Sequence, residues 1–221
     1  MKFAIVSVGN ELLRGDIVND NAKYIAQKLA ALGHSVERIV VVPDRVDDIV
    51  EELRRLLKYD FIFVTGGLGA THDDVTAEAI AKALNRSLVL DEKAVKQVKR
   101  WTDKKEVVEK VAKIPAESEV IQNDVGVAPA FITGKIAALP GVPAEMRDTF
   151  EKIVKRFEKL EVYEEDVIVE GKEEDFLEKL NSVVRKFPDV EIGSYPKPGY
   201  VVLKFRGKKE RVLEAKREFL S

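Results

Sequence analysis

The chain has 221 residues, 45% hydrophobic and 34% charged, with 37 basic and 39 acidic side chains and a formal charge of −2. That length suits one large domain and a small one, and so small a net charge gives no global field that would gather nucleic acid or anionic lipid. Cysteine is absent, which excludes disulfides, thiolate metal sites and cysteine nucleophiles together.

Lys2 to Val8 (KFAIVSV) reads as a buried strand, an apolar run ended by Gly9. It shows no cleavage-type small-residue pattern, and no apolar run in the chain approaches about 18 residues, so a cytoplasmic, membrane-free protein is expected. Ala22, Ile25, Ala26, Leu29 and Leu32 fall at helical spacing, with caps offered by Asn19 to Asn21 and a stop at Gly33. Val36 to Val42 is a second strand, Val46 to Leu57 a helix, and Phe61 to Val64 a third strand that stops at Thr65-Gly66-Gly67. This βαβαβ order implies a mostly parallel sheet covered by helices on both faces, an α/β three-layer architecture.

Val75 to Leu84 supplies the next helix. Residues 91 to 113 form a lysine-rich helical stretch in which Val95, Val98, Trp101, Val108 and Val111 are expected to pack. Ala130 to Thr133 and Lys135 to Leu139 read as a hairpin about Thr133-Gly134, followed by the rigid loop Pro140 to Pro143 and a helix over Ala144 to Lys159. From about Glu161 the pattern changes to strand 162–170, helix 173–187, strand 190–195, turn 196–199, strand 200–205 and helix 208–220. The expected organisation is a domain over 1–160 and a small βαββα unit over 161–221.

Ligands of open parallel sheets sit beyond the carboxyl ends of the strands, and the unusual loops here all fall there: Gly9-Asn10-Glu11, Pro43-Asp44, Gly66 to Asp74, and Pro140 to Glu145. In the third, Gly66, Gly67 and Gly69 allow successive N–H groups to approach phosphate oxygens just ahead of a helix. The loop is not a Walker A sequence, since no Gly-Lys-Ser/Thr follows, and it lacks the glycine spacing of a Rossmann fingerprint. Asp73 and Asp74 sit beside it, and carboxylates next to phosphate call for a divalent cation to offset repulsion. The same glycines also suit an ordinary tight turn, and Asp44, Thr71, Asp73 or Asp74 also suit helix caps worth about 1 kcal/mol each.

Taken in order, GNELLRG (9–15), the pair Asn19 and Asn21, VVPD (41–44), TGGLGATHDDVTAEAIA (65–81), NDVGVAP (123–129) and LPGVPAEM (139–146) resemble the N-terminal domain of the CinA family. That domain is related to molybdopterin-binding domains and to the corresponding domain of FAD synthetases. The resemblance covers about 160 residues, and the βαββα unit resembles the family's small KH-like domain. It implies a molybdopterin-binding fold and metal-dependent hydrolysis of a nucleotide pyrophosphate, typically ADP-ribose. Asp44, Asp73 and Asp74 would be catalytic and would hold magnesium, manganese, cobalt or nickel. Gly9, Asn10, Glu11, Asn19, Asn21, Thr65, Gly66, Gly67, Gly69, Thr71, Asn123, Gly126, Pro140, Gly141, Pro143 and Glu145 would form the ligand pocket. The chain ends before the family's deamidase domain would begin, so that activity is not expected. A homo-dimer or trimer is implied by the relatives.

Three segments depart from the family pattern, at four positions. Ala70 stands where proline is common, Gly126-Val127-Ala128-Pro129-Ala130 replaces Gly-Thr-Ala-Pro-Gly, and Asp124 replaces an arginine. Two rivals accompany the hydrolase: a molybdopterin-binding or adenylylating protein, and a non-catalytic nucleotide- or RNA-binding module. The last is disfavoured, because no Gly-x-x-Gly loop occurs from residue 161 onward, where 14 acidic residues outnumber 12 basic ones.

Overall fold

Hydrophobic alternation along the first three strands places one set of side chains on each face of a six-stranded sheet. The computed structural model describes residues 1 to 221, which fall into two compact units, Met1–Glu158 and Lys159–Ser221. The first unit runs β1 (Lys2–Val8), α1 (Asn10–Leu13), α2 (Asp20–Ala31), β2 (Ser35–Val42), α3 (Val46–Leu56), β3 (Phe61–Thr65), α4 (Thr76–Ala83) and β4 (Leu88–Leu90). It continues with α5 (Glu92–Lys99), α6 (Lys105–Val111), β5 (Lys113–Pro115), β6 (Glu119–Ile121), β7 (Ala130–Thr133), β8 (Ile136–Leu139) and α7 (Pro143–Val154).

The sheet order is β2-β1-β3-β8-β7-β6, with β2, β1, β3 and β8 mutually parallel and β7 antiparallel to both of its neighbours. Ala4, Val6, Ile62, Val64 and Ala138 face a core closed by α3, α4, α5 and α6. Phe3, Ile5, Phe63, Ala137 and Leu139 face the opposite core, closed by α2 and α7. Both layers are dry: Ile49, Leu53, Ile25, Leu29 and Phe150 are each 0% exposed. The ring of Phe63 lies within 5.2 Å of Phe61 and of Phe150, so aromatic contacts bind strand to helix in the second layer.

Local chemistry sets the helix ends. Asn19 caps α2 by accepting the Ala22 N–H at 3.3 Å, and Asp91 caps α5 by accepting from Lys93 and Ala94. Proline at the first position of α7 presents the φ a helix requires and leaves no N–H to satisfy.

The lysine-rich stretch expected over 91–113 is two helices broken at residues 100–104, and Trp101 in the break is 47% exposed rather than packed. Lys113 opens β5, which pairs antiparallel with β4 as a separate small ribbon. Helix α7 stops at Val154, five residues short of the expected end.

The second unit comprises β9 (Tyr163–Glu170), a 3-10 turn over Glu173–Phe176, α8 (Leu177–Lys186), β10 (Glu191–Lys197), β11 (Tyr200–Gly207) and α9 (Lys209–Leu220). Its antiparallel sheet has the order β10-β11-β9. Val201, Leu203 and Phe205 alternate onto α8 and α9, where Leu180, Val183, Val212 and Phe219 complete the core. Strand β10 runs through Pro196, which an edge strand tolerates, so the connection to β11 is only Pro198-Gly199 rather than four residues. No helix of either unit is long and apolar enough to cross a membrane.

Candidate functional site

Because β2, β1, β3 and β8 are parallel, their carboxyl ends open on one edge of the sheet, and the chain leaves that edge through Pro43, Gly9, Gly66 and Pro140. A cavity of about 650 Å³ lies there, bordered by Glu11, Asn19, Asn21, Asp44, Thr65, Gly66, Gly67, Thr71, Asp73, Asp74, Gly141 and Pro143. Twelve of the expected residues, nine of them from the four loops, thus border one cavity.

Polar side chains knit these loops. Ser7 and Asn19 exchange hydrogen bonds at 3.0 to 3.1 Å, which ties β1 to the start of α2. The Asn21 amide donates to Thr65 Oγ1 at 3.2 Å and to the Gly141 carbonyl at 2.7 Å, while Thr65 Oγ1 donates to the Pro140 carbonyl at 3.0 Å. Asn21 Oδ1 is buried without a partner. Gly9 N–H bonds the Val42 carbonyl at 3.1 Å, and Asn10 N–H bonds Asp44 Oδ2 at 2.7 Å. Asp44 is therefore not a helix cap: α3 is capped at Arg45 with no side-chain bond.

The glycine loop has an unusual inventory of donors. Gly66 and Gly67 adopt φ of +102° and +68°, which only glycine holds without strain. The Gly66 N–H is spent on the Leu139 carbonyl at 3.1 Å, so it does not belong to the expected phosphate cradle. The next four N–H groups, from Gly67 to Ala70, find no acceptor inside the protein. Ala70 matters here, because a proline at that position would have no N–H to offer.

Beyond it, Asp74 Oδ2 accepts the Thr71 N–H at 2.8 Å, and the Thr71 hydroxyl lies 2.5 Å from oxygens of both Asp73 and Asp74. These side chains close a turn and do not cap α4, which starts after Val75 with no side-chain cap bond. One hydroxyl proton serves one of the two carboxylates at a time, and both residues border the cavity, a donor set that fits a hard cation. The Thr71 hydroxyl holds the Asp73 carboxyl below the ordinary carboxylate range, helped by its own N–H and by the charges of His72 and Lys110.

Several expectations need correction. Asp44, Asp73 and Asp74 border the same cavity, yet no three acidic or histidine side chains gather closely enough to form a metal cluster. The physical reason is that Asp44 is drawn to the Asn10 N–H, while Asp73 and Asp74 converge on Thr71. A two-carboxylate set completed by substrate oxygens remains the usual arrangement for magnesium.

Asn123 is 0% exposed and its amide donates to the Ala128 carbonyl and to Glu145 Oε2, at 2.8 and 2.7 Å. Asn123, Gly126 and Glu145 therefore shape a neighbouring loop and do not border the main cavity. Gly69 borders a different cavity, and Gly9, Asn10 and Pro140 act through backbone groups.

Two positioning residues escaped sequence reasoning. Buried Thr76, at the start of α4, donates to the Gly66 carbonyl at 2.7 Å and fixes the glycine loop from behind. Buried Gln97 donates to the carbonyls of Asn123 and Gly126 at 2.7 and 3.0 Å. The available signal was a polar residue on an otherwise apolar helix face, Ala94-Gln97-Val98 in α5. Ile17 and Val18, 54% and 79% exposed, form an apolar rim that was also missed. Replacing Thr76 with valine keeps the volume but removes the donor to a buried carbonyl, and should destabilise the first unit by about 1–3 kcal/mol in denaturant melts. A serine variant should recover most of that loss.

Asp124 is accommodated by a charge network. Its carboxylate is pulled down to about 2, first by Lys152 at 2.6 Å, then by Gln122 and Arg100, while its N–H donates to Asp148. Burial opposes the Lys152 ammonium, but Asp124 and Asp148 more than offset it and raise its pKa. A depressed carboxylate stabilises the fold above its unfolded pKa, so this contribution is complete above about pH 4 and is lost as pH falls toward about 2. Lys152→Met should return the Asp124 titration toward about 3.9 in carboxyl NMR. A midpoint that stays near 2 would contradict the assignment.

Comparison with known proteins follows the same division. Residues 4–159 match the family described as "Probable molybdopterin binding domain", and residues 161–221 match "FAD synthase, middle domain". A protein of Archaeoglobus fulgidus is 55% identical over 221 residues, covering 99% of this chain and 96% of its own. A CinA-like protein of Thermosipho melanesiensis is 38% identical and covers 96% of this chain, which spans 56% of that relative's length. The crystal structure of CinA from Thermoplasma acidophilum aligns with a TM-score of 0.67 at 36% identity, covering 71% of this chain and 98% of that one.

Proposed function

The chain belongs to the CinA-like members of the molybdopterin-binding-domain family, and from that premise we infer that its carboxyl-edge cavity hydrolyses a nucleotide pyrophosphate. ADP-ribose is the leading substrate and an FAD-like dinucleotide the next. The reading is carried by one observation: four successive unused N–H groups, Gly67 to Ala70, stand beside the paired carboxylates of Asp73 and Asp74.

Gly67, which borders this cavity, would offer its N–H to a phosphoryl oxygen, and Leu68 and Gly69 would offer theirs from the neighbouring cavity. Asp73 and Asp74 would hold the divalent cation, which offsets the repulsion between carboxylate and phosphate. Asp44, fixed by Asn10, would receive ribose hydroxyls or the attacking water, while Asn21 holds the Thr65 and Gly141 sides of the cavity together. Ile17 and Val18 give a planar base an apolar surface at the rim. In the reaction a water oxygen bonds one phosphorus, the bridging P–O bond breaks, AMP and ribose 5-phosphate leave, and protons pass to solvent.

The family description names molybdopterin binding, which supports one rival, a molybdopterin-binding or adenylylating protein. Purified protein given ADP-ribose, FAD or NAD with magnesium, manganese, cobalt or nickel should release AMP from ADP-ribose. In parallel, ATP with molybdopterin should give no adenylylated pterin. The reverse pair of results would replace hydrolysis with transfer.

A further inference from the structure

Two cavities flank the glycine loop. The larger, described above, lies on the side of Gly66, Thr71 and Asp73. A second, of about 230 Å³, lies on the side of Leu68 and Gly69, and Gly67 and Asp74 belong to the walls of both. The loop is therefore a partition, with space for ligand on either side of the backbone groups that would hold phosphate.

The second cavity has a distinct chemistry. Its floor is apolar, formed by Leu68 (7% exposed), Leu88, Val111 and Phe131 (1% exposed). Four charged side chains also line it: the carboxylates of Asp74 and Glu78, and the ammonium groups of Lys110 and Lys113, neither of which is taken up in an ion pair or a side-chain hydrogen bond. An apolar floor beneath two unpaired ammonium groups suits a small carbon skeleton with phosphate at one end. The volume is below the roughly 300 Å³ at which ordinary ligand pockets begin, so it fits part of a ligand rather than a whole nucleotide.

We propose that this cavity is a second subsite that receives the phosphosugar half of a substrate whose nucleoside half occupies the larger cavity, the pyrophosphate lying across the partition at Gly67 and Asp74. The proposal rests on the pyrophosphate reading given above. Lys110 and Lys113 are binding residues in it, and they meet the terminal half only.

Titration calorimetry with the two half-molecules, AMP and ribose 5-phosphate, tests it. Ribose 5-phosphate should bind protein already saturated with AMP. The double variant Lys110→Ala/Lys113→Ala should weaken ribose 5-phosphate about tenfold, the size expected for two exposed charge contacts, and leave AMP affinity unchanged. Both side chains are exposed, and unchanged AMP binding in the same preparation verifies that the variant is folded. Ribose 5-phosphate that displaces AMP, fails to bind, or binds the double variant as tightly as wild type overturns the subsite. Lysine-dependent ribose 5-phosphate binding without any AMP binding supports the subsite while counting against the pyrophosphate reading, so the two failures are distinguishable.

Discussion

Replacing Asp74 with alanine is expected to lower AMP release from a nucleotide pyrophosphate by about 10²–10³, equivalent to roughly 3–4 kcal/mol of lost transition-state stabilisation. The size follows from what the carboxylate does. Asp74 borders both cavities of the glycine loop, accepts the Thr71 N–H, and shares the Thr71 hydroxyl with Asp73. Asparagine at the same position separates the two duties. It can still accept from Thr71 and keep the turn closed, but it carries no charge, so Asp74→Asn should retain the melting temperature and lose turnover like alanine. If both variants keep wild-type kcat, Asp74 has no part in the chemistry.

Gly66→Ala should cost the most stability of any single methyl group added to the loop, about 2–5 kcal/mol from left-handed strain and overpacking combined. Gly66 holds φ of +102°, and a Cβ there would stand 2.3 Å from the Val8 carbonyl oxygen. That oxygen belongs to β1, a central strand paired on both sides, so it cannot yield as a side chain would. For a unit of this size the melting temperature should fall by roughly 5–15 °C. Gly15→Ala is the control: φ is +75° but a Cβ meets nothing within 4 Å, so only the backbone strain of about 1–2 kcal/mol remains. Equal losses at the two positions would show that the close packing of the loop on β1 contributes nothing.

The two predictions rest on features of unequal visibility in the sequence. Glycine at 66 and the neighbouring carboxylates were legible, because the residue types themselves announce left-handed backbone and charge at a strand end. The parallel sheet was legible too, since Phe3 and Ile5 alternate with Ala4 and Val6, and Phe63 with Ile62 and Val64. Partners across the fold were not. Nothing near Gly66 in the chain indicates that its N–H is spent on Leu139, which leaves the N–H groups from Gly67 to Ala70 as the loop's unused donors. The spread of Asp44 from Asp73 and Asp74 is equally a matter of which loop each carboxylate meets, and loop-to-loop distance has no local signal.

Short elements were hidden for a different reason. Strands β4, β5 and β6 have three residues each, too few to display a period of two. The break between α5 and α6 falls in a run of good helix formers, where only Thr102 and Asp103 argue against continuation, and it leaves Trp101 outside the core. Thr76 and Gln97 lie inside expected helices, and their burial is decided by the loops they must hold. Asp124 looked like a lost arginine, yet Lys152 on α7 restores a charge partner to that loop from the opposite side.

The most direct test of the account is phosphorus NMR of ADP-ribose incubated with the purified protein and a divalent cation. The diphosphate resonances should be replaced by those of AMP and ribose 5-phosphate in equal amounts, and a chelator should stop the conversion. Diphosphate signals that persist unchanged with magnesium, manganese, cobalt and nickel alike would contradict it.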